Sequence, residues 1–487
     1  MDKNEIKVEN PAVEAPVKKP KKKPEAEILL DRQLEMKGKT RKTDIAILAS
    51  FCAFILFFGV AFFVIKDKDY SETEKRTLTQ MPSLSFSRIV SDLKRDLKLM
   101  TMTEDEKKAY IAELGADYKV FSDEIGDYYA DQFPFRDQLR VVKAAAEIGM
   151  LKQENNDVVF AGEYLIKKDT VSGVAQNEDG TFRDRTYEDA AETIKSNVHL
   201  LAGIEQNLPE GIDLRTAVAG RTIDVIPETK LPLLFPVEEE THKGVYWKAY
   251  NDQVQEDGVT AVDLRGLLNQ HFKDGEYVYY KTDHHWTSLG AYHAYCEIIR
   301  SYGIEPYALD TFTRETYTTS FIGTTYAKAG AAFGGKDTIE LFRYDGDTDY
   351  TTTIINGAKT TTLQGFYNQD KYRDINDKYG VFIGSDDTGD GGNNAVTIVT
   401  KNGESRPKMI LIKDSFGNSI VPFLARHFDL IILDLRTSSK DFSEYLADPD
   451  LAHILVLYNM ETFMNDAKIS DAAARIIPYF RQKASDK

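Results

Sequence analysis

An uninterrupted apolar run from Ile45 to Ile65, IAILASFCAFILFFGVAFFVI, constrains this 487-residue chain more than any other feature. Its 21 residues carry no charge, and as a helix they span about 31 Å at about 1.5 Å per residue, the thickness of a bilayer's hydrocarbon core. The run is longer than the apolar region of a signal peptide, 44 residues precede it, and no small-residue cleavage site follows, only KDKDYSETEKR. An uncleaved transmembrane helix is therefore expected over residues 44–66. Arg32, Lys37, Lys39, Arg41 and Lys42 crowd the flank before it, whereas Lys66 and Lys68 alternate with Asp67 and Asp69 after it. The positive-inside bias then leaves the N-terminus in the cytoplasm and puts everything beyond residue 66 outside the cell.

Charge divides along the same line. Residues 1–43 hold 12 basic and 8 acidic groups, and their Pro, Lys, Glu and Val show no apolar periodicity, so a disordered basic tail is expected there. The whole chain carries −17, which leaves −21 on the remainder. A body that acidic repels phosphate backbones, so nucleic acid is not expected as a partner of the main domain. Cys52 and Cys296 are the two cysteines, one of them inside the apolar run, so an intrachain disulfide in the outer body is not expected.

Residues 67–150 are charged and then amphipathic, which reads as a stalk and helical lead-in. From residue 151 to 487 helix-like and strand-like segments alternate. Candidate strands are Leu214–Gly220, Thr260–Arg265, Met409–Ile412, Leu430–Leu435 and Ile454–Tyr458. That rhythm predicts an α/β domain with parallel pairing. The Thr, Tyr and Ile runs cut by Gly and Asp around 338–400 predict a β-rich insertion.

Two segments carry chemistry. In YVYYKTDHHWTSLGAYHAYCEII a strand-like run through Tyr280 reaches Asp283, His284, His285 and Trp286 before a helix. Alternate side chains of an extended backbone share a face, so Asp283 and His285 are expected on one side, His284 and Trp286 on the other. A carboxylate beside an imidazole holds one tautomer, as a general base needs. In MILIKDSFGNSIVPFLARHF a short strand runs into Asp414 and Ser415 at the start of a helix. A serine there sits beside free backbone N–H groups that can stabilise an oxyanion, so Ser415 is a nucleophile candidate, with a helix N-cap as the alternative.

Asp283-His284-His285-Trp286 together with KDSFGNS from Lys413 resembles the bacterial DHHW proteins, which are related to alginate O-acetyltransferase-like proteins of the SGNH hydrolase superfamily. SETEKR (Ser71–Arg76), DQFPFRDQL (Asp131–Leu139), FIGTTYAKAG (Phe321–Gly330), PFLARHFDLIILDLR (Pro422–Arg436) and YNMETF (Tyr458–Phe463) carry the resemblance over roughly residues 70–465. It implies a circularly permuted SGNH-hydrolase-like three-layer domain, with a triad of Ser415, His285 and Asp283. The Ser415 backbone N–H is one oxyanion donor, and Asn459 is a candidate for the second, a structural turn Asn being the alternative. Relatives place a compact Gly-Gly-Asn after a strand, whereas here Gly384 stands apart from Gly392 and Asn393. Arg436 is a candidate for contacting donor or acceptor, or for a structural ion pair.

The implied activity is O-acetyl transfer to, or ester hydrolysis on, an exopolysaccharide or cell-wall glycan, without cofactor or bound metal. A multipass membrane acyltransferase is the implied partner on the donor side. Two other readings compete. One is a non-catalytic, membrane-tethered glycan-binding or scaffold protein. The other is a metal-dependent phosphoesterase that would use Asp283, His284, His285 and His293 as ligands, but its upstream aspartate motifs are missing. Asp386, Asp387 and Asp390 lack the spacing of a calcium loop and read as solvated.

Overall fold

The structure, a computed structural model, describes residues 24–485 apart from 72, 84, 105, 108–109, 111–120, 178, 228–229, 233–236, 331, 333, 373–376, 384–394, 437–440 and 466–467. It divides into two compact units, the first ending at Asp67 and the second running from Lys68.

In the first unit α1 (Glu25–Val64) is one continuous helix of 40 residues, long and apolar enough to cross a membrane. Residues 25–43, expected as part of a disordered tail, are thus helical. The cause is local: Glu, Leu, Arg, Gln, Met and Lys dominate that stretch and all favour helix. Glu25 and Glu27 sit in its first turn, where the helix dipole favours negative charge.

The second unit is built on a mixed sheet. Its strands are β1 (Asp213–Ala219), β2 (Ala261–Val262), β3 (Tyr350–Asn356), β4 (Lys359–Gln364), β5 (Ala395–Lys401), β6 (Lys408–Lys413), β7 (Asp429–Leu433) and β8 (Leu451–Asn459). Among the described residues they lie in the order β4-β3-β5-β7-β6-β8-β1-β2. From β7 to β2 every pairing is parallel, with Ile410 of β6 opposite Ile431 and Ile454. The expected parallel strands are present, except that the one expected over Thr260–Arg265 is confined to Ala261–Val262, because Asp263 caps the helix Leu264–Lys273, which Leu264 and Arg265 begin. Strands β5, β3 and β4 extend the sheet antiparallel, so these three strands of the 338–400 region continue the main sheet, while Asp337–Arg343 pairs with Thr313–Phe321 in a separate two-stranded sheet.

Both faces are covered, which gives three layers. The helices are α2 (Tyr187–Asn207), α3 (Val237–Asp257), α4 (Leu264–Lys273), α5 (Ser288–Ser301) and α6 (Ile469–Ser485). Met409 and Leu411 of β6 and Leu455 and Leu457 of β8 join a core with α4 and α5. Ile410 and Ile412, and Ile454 and Val456, point to the other face and pack with α2, α3 and α6. The period of two along each strand is what distributes one apolar run between two cores. Thr186, Asp263 and Thr287 start α2, α4 and α5 by accepting backbone N–H groups from Asp189, Gly266 and Gly290, the usual stabilisation of a helix N-terminus.

The stretch expected as a stalk and lead-in is part of the second unit. Arg76 pairs with Asp131, and Ala144, buried in the helix Arg136–Gly149, lies against Gly330, where an added Cβ would meet the Ala144 Cβ at 2.7 Å.

Candidate active site

Ser415 stands two residues past the end of β6, at the carboxyl edge of the parallel strands, where open α/β sheets present their ligand sites. The turn Ser415–Asn418 is a short 3-10 helix capped by Asp414, whose Oδ1 accepts the Phe416 N–H at 2.8 Å. From Met409 to Arg426 every residue is buried except Ser415, which is half-exposed. Asp414 does the holding: it is fully buried, and its Oδ2 also accepts the Asn459 backbone N–H at 2.8 Å. Among the described residues the Ser415 N–H donates to no protein acceptor, which leaves it available as an oxyanion donor.

Asp283 and His285 arrive from the loop before α5. Their side chains meet, with His285 Nδ1 2.6 Å from Asp283 Oδ1, and His285 Nε2 stands 2.8 Å from Ser415 Oγ. The other carboxylate oxygen accepts the Thr324 backbone N–H at 2.8 Å and its hydroxyl at 3.0 Å. Burial alone would raise the Asp283 carboxyl. The adjoining His284 and His285 and the hydrogen bonds from His285 and Thr324 outweigh it and hold the group well below the usual carboxylate range. Asp283 therefore stays ionised, and its Oδ1 fixes Nδ1 as the protonated nitrogen, leaving the Nε2 lone pair for the serine.

The expected alternation of faces around Asp283 does not hold. The loop is a bend, closed by a single bridge between Tyr279 and Trp286 and by Tyr280 N–H donating to His285 C=O at 3.2 Å. The bend folds His284 back over His285, ring centroids 3.9 Å apart, and brings its Nδ1 to 2.9 Å from the Thr324 hydroxyl. Burial first, and the neighbouring His285 second, push the His284 imidazole well below its ordinary range, so it is neutral. Trp286 locks the loop to the serine turn: its fully buried indole donates to the Phe416 C=O at 3.0 Å and lies 2.9 Å from the Ser419 hydroxyl.

The remaining candidates fare differently. Both amide hydrogens of Asn459 are engaged, with Asp414 Oδ2 and with Thr462 Oγ1 at 2.9 Å. Asn459 thus braces the serine turn and offers no side-chain donor to an oxyanion, a correction to the expected role. Arg436 forms a two-pronged ion pair with Asp434 at 3.0 and 2.7 Å. Asn393 and Gly392 lie outside the described residues. Asp283, His284 and His285 have ligand-type atoms within 4.8 Å of one another, but those of His284 and His285 face Thr324 and Ser415. His293 pairs with Glu276.

Three further residues shape this site, none with a role assigned from the sequence, although Thr324 lies within FIGTTYAKAG. Tyr379 stacks on His285, centroids 4.0 Å apart at 12°, and its hydroxyl donates toward the Ser415 C=O at 3.2 Å. Thr324 orients Asp283. Asp337, almost wholly buried, accepts the backbone N–H groups of Lys281 and Thr282 at 2.9 and 2.8 Å and so pins the loop just before Asp283.

A hydroxyl, an imidazole and a buried carboxylate stand in one hydrogen-bonded line, with a free N–H at the serine, an arrangement in which the imidazole can take the hydroxyl proton and the N–H can meet a developing negative charge. Residues 251–433, which contain both halves of this line, match the sequence model of the DHHW protein family, the family that the motifs indicate.

Over 165 residues the chain is 26% identical to the probable alginate O-acetylase AlgJ of Pseudomonas fluorescens, a match that takes in 34% of this chain and 38% of that protein. The chain thus spans well under half the length of this curated relative. Among solved structures, a DHHW family protein from Eubacterium siraeum is 20% identical, with a TM-score of 0.48 over 66% of this chain and 95% of that one. PatB1 of Bacillus cereus, solved with a sulfonyl adduct, is 19% identical, with 0.45 over 64% and 96%. The O-acetyltransferase domain of Pseudomonas putida AlgJ is 15% identical, with 0.34 over 63% and 99%.

Proposed function

We propose that this chain is a membrane-anchored, SGNH-like O-acyltransferase or esterase of circularly permuted order, acting outside the cell on an exopolysaccharide or cell-wall glycan. The observation that carries the reading is the line Asp283–His285–Ser415, with 2.6 and 2.8 Å between successive partners. In the proposed reaction His285 Nε2 takes the Ser415 proton as Oγ attacks an acyl carbonyl. The resulting oxyanion is held by the Ser415 N–H, and the protonated imidazole, stabilised by the Asp283 carboxylate, returns its proton to the leaving group. An acyl-serine remains. A sugar hydroxyl or water, deprotonated by the same Nε2, then attacks it and releases the ester or the acid.

Tyr379 and His284 flank the His285 imidazole, with ring centroids 4.0 and 3.9 Å from it, and so limit its rotation. The similarity to a probable alginate O-acetylase supports acetyl as the acyl group and a glycan hydroxyl as acceptor. A multipass acyltransferase as donor partner and an N-terminus held in the cytoplasm are parts of the same proposal.

Hydrolysis of an aryl acetate by the full chain in detergent tests it. Ser415→Ala and His285→Ala should each lower kcat by at least about a thousandfold while the circular dichroism spectrum is kept. Turnover unchanged in both variants would remove the serine mechanism.

A further inference from the structure

A second constellation lies apart from the triad's own side chains. His271, in the last turn of α4, Glu276, in the connection that follows, and His293, in the second turn of α5, converge from three places in the chain. The two imidazoles stack with centroids 3.5 Å apart and planes 18° from parallel. One carboxylate serves both: Oε1 is 3.1 Å from His271 Nδ1, and Oε2 is 2.6 Å from His293 Nε2. One ligand-type atom from each of the three lies within 4.8 Å of the others. The side chains are 24%, 38% and 15% exposed, so the cluster is reached from solvent without opening the core.

From this we propose that His271, Glu276 and His293 form a divalent-metal site of the zinc class, distinct from the triad. Two imidazoles and one carboxylate are a ligand set that zinc accepts, with a fourth position left for water. Calcium and magnesium require all-oxygen surroundings and are not suited. The nitrogens that now face the carboxylate must present lone pairs to the ion. In neutral imidazoles this needs only that the proton move to the opposite ring nitrogen, with no net change in bound protons. Glu276 stands two residues before Val278, whose C=O accepts the Thr287 N–H at 2.9 Å at the base of the Asp283–His285 loop. An ion there ties the ends of α4 and α5 across the stem of that loop and acts as a structural brace.

The test is zinc binding to the full chain, purified in detergent without a polyhistidine tag and measured by competition with a chromophoric chelator. The site predicts one zinc per chain, an affinity lowered at least about tenfold by His293→Ala and by Glu276→Gln, and no change in Asp283→Asn. Glu276→Gln keeps a hydrogen-bond acceptor for the imidazoles and separates ligation from folding. Zinc should also raise the Tm of the wild type and not of Glu276→Gln. Absence of stoichiometric zinc overturns the proposal and leaves a hydrogen-bonded cluster. So does binding that survives both cluster variants, or that is lost in Asp283→Asn. None of these readouts depends on esterase activity.

Discussion

At the scale of the residue, the candidate site works through close approach. An ideal Cβ on Gly323 would stand 2.2 Å from the Asp283 Cβ, 2.4 Å from the Thr282 carbonyl oxygen and 2.6 Å from the Asp283 Cα. Two of those neighbours are backbone and cannot yield by a rotamer change. Gly323→Ala is therefore expected to displace the carboxylate from His285 and lower ester turnover about a hundredfold, the usual consequence of a misplacement near 1 Å. Steady-state kinetics on the folded variant checks this, and unchanged turnover would mean that Asp283 does not need its observed position. Asp283, His285 and Ser415 are legible in the sequence because each belongs to a compact signal: a carboxylate two residues from an imidazole, and a serine where an apolar strand gives way to a helix. Asn459 was legible as a polar residue at a strand end, but the capture of its amide by Asp414 was not. Tyr379, Thr324 and Asp337 were out of reach for the same reason: each comes from far along the chain, and only the fold brings them to the loop.

At the scale of the element, the strands were readable because apolar runs of four to seven residues at the expected spacing leave few alternatives to a buried parallel sheet. The antiparallel extension was not. β3 reads YTTTIIN and β4 KTTTLQ, Thr runs with few apolar residues, a composition equally suited to an insertion or to the margin of the main sheet. The loop at 281–286 has a strand-like composition without an extended backbone, because its backbone groups bond to the Asp337 carboxylate and across to Tyr280. One pH effect belongs to the packing of α5 on the turn after Leu424. His427 sits 2.8 Å from the Tyr295 hydroxyl, and burial, aided by Arg406, pushes its imidazole from 6.5 down to about 4. The folded chain refuses a proton that the unfolded chain accepts. This contribution to stability is therefore fully present above about pH 6.5 and is lost as the pH falls toward 4. His284 acts in the same direction. Tm measured across that window should fall more steeply for the wild type than for His427→Gln, which keeps an acceptor for Tyr295. Parallel curves would contradict the assignment.

At the scale of the whole molecule, the apolar helix and the acidic α/β unit are separate statements about where the chain works. The helix is legible from length and lack of charge, and its polar extension back to Glu25 from helix propensity. On the proposed topology, protease added to intact cells should digest the region after Lys68 and spare an N-terminal fragment that stays with the membrane through alkaline extraction. Protection of the large unit would reverse the orientation. If the proposed glycan acceptor is right, the net charge of −21 beyond residue 43 favours a neutral glycan over a strongly anionic one, because exposed carboxylates repel a polyanion.

The central claim is that His285 activates Ser415, and covalent labelling tests it most directly. A sulfonyl fluoride, which modifies an activated serine hydroxyl, should add once per chain, and peptide mapping by mass spectrometry should place the adduct on Ser415. Labelling should vanish in Ser415→Ala and slow by at least about a hundredfold in His285→Ala. An adduct on another residue, or a labelling rate indifferent to His285, would contradict the account.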